Sequence, residues 1–541
     1  MAIDPISLGI LWDRLISIAD ESVSALIRTS FSNVVRESHD LTCVLFDAKG
    51  RSVAQGTDSS PAFIGTAPNT LRQMLGRFPA ASLKPGDVLM TNDPWIGTGH
   101  LYDVNLVRPV FHQGRLVGYS MSITHLPDIG GRGWATDAAE IFEEGLWIPV
   151  CKIVEAGRLN EAWIDLIRHN VRVPEQVIGD IMANVSCTEV GARALSKFLD
   201  EYGIADLDAL ADTITEQSER ALREALRAIP DGVYRSAMPI DGPKDTIQLA
   251  CAVEIRGDEA FIDFAGSTPT VRAGINVPYC YTNAFSLYAI KCVTVPKIPN
   301  NSGFVRPVTV TAPPGCILNA LPPAPTGGRH VVGHFIPPLI FAALEDFLPT
   351  RVQAGPGMNG AASFQGTHRD GRALSSVYLA SGGYGALEGT DGAATTPSPS
   401  NMTSTPTEIW ENLTSTLIEE KVLLTDSGGA GEARGGLGQR IVFRNTSGAP
   451  MNVSPFGAQT LYPARGFRGG KPGSLRQILV NGKPVPSQDR LTLADGDTMT
   501  KIEPGGGGFG SPQKRARAKV LDDVRNGYVS KAAAKSDYGV E

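Results

Sequence analysis

Apolar residues along this chain follow a helical period first, then a two-residue period, and later break into short runs between glycines and prolines. Over residues 5–30, Leu8, Leu11, Leu15, Ile18 and Val23 recur every three to five positions, so one helix face is apolar. Asp4 ahead of Pro5 supplies the start signal. Residues 41–46 and 51–55 read as a hairpin around Asp47, Ala48, Lys49 and Gly50, and 66–78 returns to a helical pattern. Two longer apolar runs, 104–111 and 116–124, flank a turn signal at His112, Gln113 and Gly114 and predict a second hairpin. A looser stretch, 129–150, contains Glu143 and Glu144. Residues 160–200 and 206–229 are helical by period, and Pro230, Asp231 and Gly232 stop them. From Val233 the pattern shortens to strands at 246–255 and 260–264, followed by a segment rich in Pro, Asn and Gly over 296–330. Beyond 385, Gly, Thr, Ser and Pro dominate. The stretch 395–407 suits a flexible linker, although Trp410, Leu413 and Leu417 resume an apolar pattern just after it. The chain shows no tandem repeat. These patterns predict an α+β fold in three parts: a mixed α/β part over 1–230, a strand-rich part over 231–385, and a glycine-rich strand-and-loop part over 386–541.

Composition narrows the classes. A chain of 541 residues exceeds what one hydrophobic core organises, and 42% apolar residues suit a globular protein. No window offers ~18 uninterrupted apolar residues, so no membrane span is predicted. A net charge of −7 argues against a general nucleic-acid binder. The seven cysteines are scattered, odd in number and without a C-x-x-C pair, which suits free thiols in a reducing cytoplasm and excludes a cysteine-rich zinc module. The first residues lack the basic and apolar regions of a secretory signal, so a cytoplasmic location is expected.

The long hairpin carries the candidate chemistry. Folding it about Gln113 and Gly114 pairs positions whose numbers sum to about 225–227. His100 then lies opposite residues 125–127, and His100, Asp103 and His125 converge at the hairpin's open end. Two imidazoles and a carboxylate at a loop-rich strand end are what a mononuclear metal site with open positions requires. The same residues also suit a turn, with His beside Gly and Thr and with Asp103 as a cap. His and Asp three apart cannot share one face of a strand, so at least one of them sits in the preceding loop. Asp40, just before an apolar strand, is either a turn carboxylate or a further oxygen ligand or base. Asp93 and Asp128 are available to orient the imidazoles from outside the ligand set.

Other motifs carry less. The run Gly505 to Gly510 satisfies G-x-G-x-x-G without a strand–turn–helix frame and reads as a turn. The stretch 466–472 places Pro472 where a phosphate loop needs Ser or Thr and a helix start. Gly428, Gly429 and Gly431 ahead of Arg434 suit a packed loop better than an anion nest. No acceptable phosphate cradle is found, so any ATP site must come from another chain. There is no G-x-S-x-G elbow. His330, His334 and His368, irregularly spaced in later loops, read as structural.

Asn92-Asp93-Pro94, Gly99-His100-x-x-Asp103 and His125-x-x-Asp128-Ile129-Gly130-Gly131 resemble the hydantoinase B/oxoprolinase family. Arg36-Glu37-Ser38-x-Asp40, Glu144-Gly145 with Pro149, Asn276-Val277-Pro278, Pro299-Asn300-Asn301-x-Gly303, Asp426-Ser427-Gly428-Gly429-Ala430-Gly431 and the ending from Pro504 to Gly510 agree, so the resemblance spans essentially the whole chain. It implies one subunit of an ATP-dependent, two-subunit enzyme. An A-type partner binds ATP and phosphorylates a carbonyl oxygen; the B-type chain holds a divalent metal, zinc or manganese, and completes the reaction in a hetero-oligomer of (αβ)2 type. By position, His100, Asp103 and His125 would be the ligands, with Asp40 a fourth ligand or a base, and Asp40 and Asp103 the catalytic carboxylates. Members open lactam-like rings such as hydantoins, 5-oxoproline and caprolactam. The alternatives are a subunit of an ATP-dependent ketone carboxylase and a non-catalytic scaffold with a structural metal. One departure stands out: many members have His where this chain has Phe63, which suggests a more apolar substrate or pocket.

Overall fold

The two hairpins expected in the first 125 residues merge into one sheet. In the computed structural model, which describes residues 3–487 and 489–541, seven strands lie in the order β2-β1-β5-β4-β3-β6-β7. They are β1 (Leu41–Asp47), β2 (Ser52–Gln55), β3 (Val88–Thr91), β4 (Asp103–His112), β5 (Arg115–His125), β6 (Cys151–Glu155) and β7 (Arg158–Leu159), all antiparallel to their neighbours. Strand β1 is buried at every position. Val44 and Phe46 pack with Phe63, Leu71 and Met74 on one face, while Leu45 joins Leu15, Ile18 and Phe198 on the other. With both faces covered, the central strands read as continuous apolar runs rather than as an alternation.

Helix Pro5–Thr29 is capped by the Asp4 carboxylate, which accepts from the backbone of Ile6 and Ser7 at 3.0 Å. The helical stretch expected over 160–200 is two helices, Glu161–Asn170 and Pro174–Tyr202. Pro174 is tolerated in a first turn but pushes the residue before it out of the helical region, hence the break.

At the hairpin tip, Gln113 (φ 50°) and Gly114 (φ 78°) form a two-residue turn in the left-handed region. The register corrects the expected pairing. A bulge between Val110 and Phe111 shifts the ladder by one, so His125 faces Asp103 directly, and His100 reaches the same place from the preceding loop.

Four further strands, Gly232–Ile240, Ile247–Arg256, Glu259–Asp263 and Val308–Thr311, form a second sheet whose last pair is parallel. Two helices that periodicity missed, Tyr279–Thr294 and Ile336–Leu344, pack close to it. Both are buried around most of their circumference, so they lack the polar face that produces a 3.6-residue signal. Two more sheets use strands between Asn359 and Ile502, which completes an α+β architecture. Among the described residues no helix is long and apolar enough to cross a membrane.

The glycine-rich segments pack against one another as extended backbone. Gly429 N–H donates to Gly506 O, Gly506 N–H to Gly436 O, Gly383 N–H to Pro504 O and Gly507 N–H to Gly355 O, at 2.8–2.9 Å. The run 505–508 is therefore a strut in a glycine lattice, not the turn expected from its motif, and the stretch at 428–431 is a packed loop. The supposed linker is likewise part of the core. Ser398, Ser400 and Thr405 are buried, and Thr403 N–H donates to Ser38 O at 2.9 Å.

Candidate metal centre

Three neighbouring strand ends set out the candidate ligands in one row. Asp103 opens β4, His125 closes β5, and Asp40 immediately precedes β1, where its carbonyl accepts from His125 N–H at 3.2 Å. Adjacent strands lie roughly 4.8 Å apart, so residues level with one another on three strands must crowd. Asp103 Oδ1 is 3.2 Å from His125 Nδ1 and 2.8 Å from His100 Nε2, and Asp40 Oδ2 is 3.8 Å from His125 Nδ1. The side chains of His100, Asp103 and His125 are 1–2% exposed, against 16% for Asp40. Together the first three could hold a metal ion.

The loop carrying His100 turns at Gly99 (φ +96°), where a Cβ would also lie 2.6 Å from Arg329 Cδ. Arg329 is the residue that sequence reading missed. Its guanidinium donates to Asp103 Oδ2 at 2.8 Å and to Thr98 O at 2.5 Å, and lies 4.3 Å from the Tyr281 ring centroid. No local spacing links positions 103 and 329; only the fold does. A neighbouring peptide orients the first imidazole. Gly327 O accepts from His100 Nδ1–H at 3.0 Å and from Trp134 Nε1–H at 2.6 Å, while Gly327 N–H donates to Glu144 Oε1 at 2.7 Å. Asn276 steadies the same loop by donating to Pro325 O. The carboxylates expected to orient the imidazoles are elsewhere. Asp93 accepts from Trp95 N–H, and Asp128 pairs with Arg172.

Electrostatics follow from this burial. Burial alone would raise the Asp103 carboxyl, but His100 and Arg329 beside it hold it well below the usual carboxylate range. Burial, then the Arg329 charge, pushes His100 down to about 4, and burial pushes Asp40 up to about 6. His100 is therefore neutral near pH 7, where the Arg329 charge is what holds Asp103 ionised. With Nδ1 donating to Gly327, its bare Nε2 lone pair faces the Asp103 carboxylate at 2.8 Å. His100 Nε2 and His125 Nε2 lack a hydrogen-bond partner among the described residues. Opposed lone pairs in a dry pocket are costly, and a cation among them removes the conflict. The donor set thus fits a divalent metal of the mixed nitrogen and oxygen class.

Asp40, His100, His125 and Arg329 line a narrow cavity. Phe63, Phe285, Leu379 and Met402 supply apolar wall; His330, His334, Asn359 and Ser400 supply polar wall. His330 and His334, read from sequence as structural, thus open on the same cavity as the candidate ligands. His368 is remote and contacts Ser415. His112, at the far end of the hairpin, contacts Ser196 and Asp200.

Comparison with known proteins agrees over the full length. The caprolactamase subunit beta of Pseudomonas jessenii is 33% identical, covering 99% of this chain and 96% of that protein. The solved ATP-dependent caprolactamase from the same organism superimposes with a TM-score of 0.91 at 31% identity, covering 100% of this chain and 97% of that one. The nucleotide-free structure of acetone carboxylase matches at TM-score 0.89 and 19% identity, covering 99% of this chain and 79% of that one, which shows a common fold. The family model for hydantoinase B/oxoprolinase matches residues 4–512. The chain belongs to the hydantoinase B/oxoprolinase family.

Proposed function

We propose that this chain is the metal-holding B-type subunit of an ATP-dependent hydrolase of cyclic amides. The observation that carries this reading is the row Asp40, His125 and Asp103 with His100 beside it, three of them fully buried, with an unpartnered His100 Nε2 facing Asp103 Oδ1. His100, Asp103 and His125 would hold one divalent ion, zinc or manganese. Asp40, less buried and open to the cavity, is a fourth ligand or the base that takes a proton from the attacking water. When bound, the ion supplies a Lewis acid that acidifies water and polarises a carbonyl. Arg329 balances the Asp103 charge, and the Gly327 carbonyl keeps the His100 proton on Nδ1 so that Nε2 stays free.

ATP is bound by an A-type partner in a hetero-oligomer of (αβ)2 type, which activates the amide carbonyl by phosphorylation; the complex works in the cytoplasm. An unstrained amide is a poor electrophile, and coupling to ATP supplies the missing driving force. The likeness to caprolactamase, at about a third identity over the whole chain, favours hydrolysis over ketone carboxylation. His100→Ala and His125→Ala should each empty the site and abolish lactam-dependent ADP release by the co-expressed pair, while His112→Ala does neither. Wild-type metal content in both single variants, by elemental analysis, would show that these residues are not the ligands.

A further inference from the structure

The lining of this cavity holds a second polar group besides the candidate ligands. His330, His334, Asn359 and Ser400 are 3–7% exposed and line the cavity. His330 Nε2, His334 Nδ1, Asn359 Oδ1 and Ser400 Oγ have no hydrogen-bond partner among the described residues. Four unsatisfied polar groups in the lining of one cavity are far from the ordinary state of a core, where nearly every buried polar atom is paired. They come from separate segments: the short helix His330–Gly333, its cap at His334, the strand Asn359–Thr367 and the segment containing Ser400. Several parts of the fold therefore aim unpaired groups at one space.

The wall is uncharged. Burial, then its neighbours His334 and Arg329, takes His330 well below its ordinary pKa, and burial takes His334 to about 3. Among the described residues, Arg329 is the only cationic side chain in the cavity lining, and it is already committed to Asp103. Apart from an ion held by His100, Asp103 and His125, a ligand carboxylate would find no free counter-charge among these side chains. A neutral amide finds donors and acceptors, with Phe63, Phe285 and Met402 beside them for methylene carbons.

We propose that His330, His334, Asn359 and Ser400 form the substrate-orienting wall of this cavity, and that it selects an uncharged cyclic amide over one bearing a carboxylate. The inference rests on the cyclic-amide reading above and narrows it. Trp134, 4.7 Å from the His125 ring and 5.4 Å from the His330 ring, joins the two polar walls. These two histidines touch substrate rather than the ion.

The test uses the full chain loaded with Zn2+ and a matched pair of small probes, 2-pyrrolidone and 5-oxoproline. They share one ring and differ only in a carboxylate. Calorimetry should show 2-pyrrolidone binding at least tenfold more tightly than 5-oxoproline. His330→Leu and His334→Leu should each weaken 2-pyrrolidone tenfold or more while metal content stays at the wild-type value. Their melting temperatures should hold or rise, because leucine replaces an unsatisfied polar group with an apolar one. A core role for the histidines predicts the opposite: lower melting temperature and unchanged lactam binding. Ser400→Ala, which removes only a hydroxyl, should weaken 2-pyrrolidone severalfold and serves if a leucine variant fails to fold. Unchanged lactam affinity in the variants, equal affinity for the two probes, or metal loss on removing His330 or His334 overturns the inference. If metal-loaded wild type binds neither probe, the inference fails while the metal reading stands. If the wild type takes up no metal, the reading beneath it fails first.

Discussion

The cavity around His100 and the glycine-packed C-terminal region both draw on irregular backbone, yet they treat polar atoms in opposite ways. In the glycine region, extended segments approach until no side chain fits between them, and N–H and C=O groups pair across the contacts, as between Gly429 and Gly506 or Gly507 and Gly355. Around the cavity, side chains converge from separate stretches of sequence and leave imidazole, amide and hydroxyl atoms unpaired. Each such atom costs roughly 1–3 kcal/mol in desolvation. Backbone that pairs its polar groups across close contacts is scaffold, and a cluster of unpaired side-chain groups around one cavity is where ligands are expected.

The largest effect should come from the scaffold. A Cβ on Gly435 would lie 1.9 Å from Gly506 O, and backbone on both sides cannot yield. Gly435→Ala should cost beyond about 5 kcal/mol and leave little folded protein, which thermal unfolding and soluble yield report. Gly9→Ala is the counterweight: nothing lies within 4 Å of its Cβ position, inside helix Pro5–Thr29. It should stabilise by roughly 0.5–1 kcal/mol. A wild-type melting temperature for Gly435→Ala would mean that the glycine segments do not touch as described.

The next effect should come from the cavity. Arg329→Met leaves Asp103 buried beside neutral imidazoles, and removing one partner of a buried ion pair costs about 3–5 kcal/mol. A bound divalent cation offsets part of that loss. The melting temperature of the metal-free variant should therefore fall further below wild type than that of the metal-loaded variant. Equal losses with and without metal would separate Arg329 from the ion's charge balance.

These two regions also differ in how much of them sequence revealed. The hairpin, its turn at Gln113 and Gly114, and the convergence of His100, Asp103 and His125 were legible, because apolar runs and turn residues are local signals. The bulge at Val110 was not, since one extra residue leaves the pattern intact while changing which residue faces His125. Arg329, His330 and His334 were invisible as partners because tertiary packing alone brings them some 200 residues back to the hairpin. Helices Tyr279–Thr294 and Ile336–Leu344 were missed because full burial erases periodicity. The glycine run 505–510 was read as a turn, because extended glycine packed on glycine offers no hydrophobic pattern at all.

The smallest expected effect concerns Glu144, which accepts from the Gly327 N–H and so holds the residue whose carbonyl orients His100. Burial pushes this carboxyl up to about 8, against an ordinary value of 4.5, despite bonds from the Gly327 and Thr326 backbone. The sign follows from proton counts. Between pH 4.5 and 8 the unfolded chain has released this proton while the folded chain retains it, so folding loses stability as pH rises through that window. Above it the loss is constant. Glu144→Gln keeps an acceptor for Gly327 N–H but has no proton to release. The variant should match wild type near pH 5 and exceed it progressively toward pH 8, by on the order of 1 kcal/mol or more, with no further change above. Glu144→Ala, which leaves the Gly327 N–H without its acceptor, should instead be destabilised at every pH. Thermal melts of the three proteins from pH 5 to 9 check this. A wild type that gains on Glu144→Gln as pH rises would mean that Glu144 is ionised in the fold, and that charge rather than a neutral hydrogen bond holds the loop behind His100.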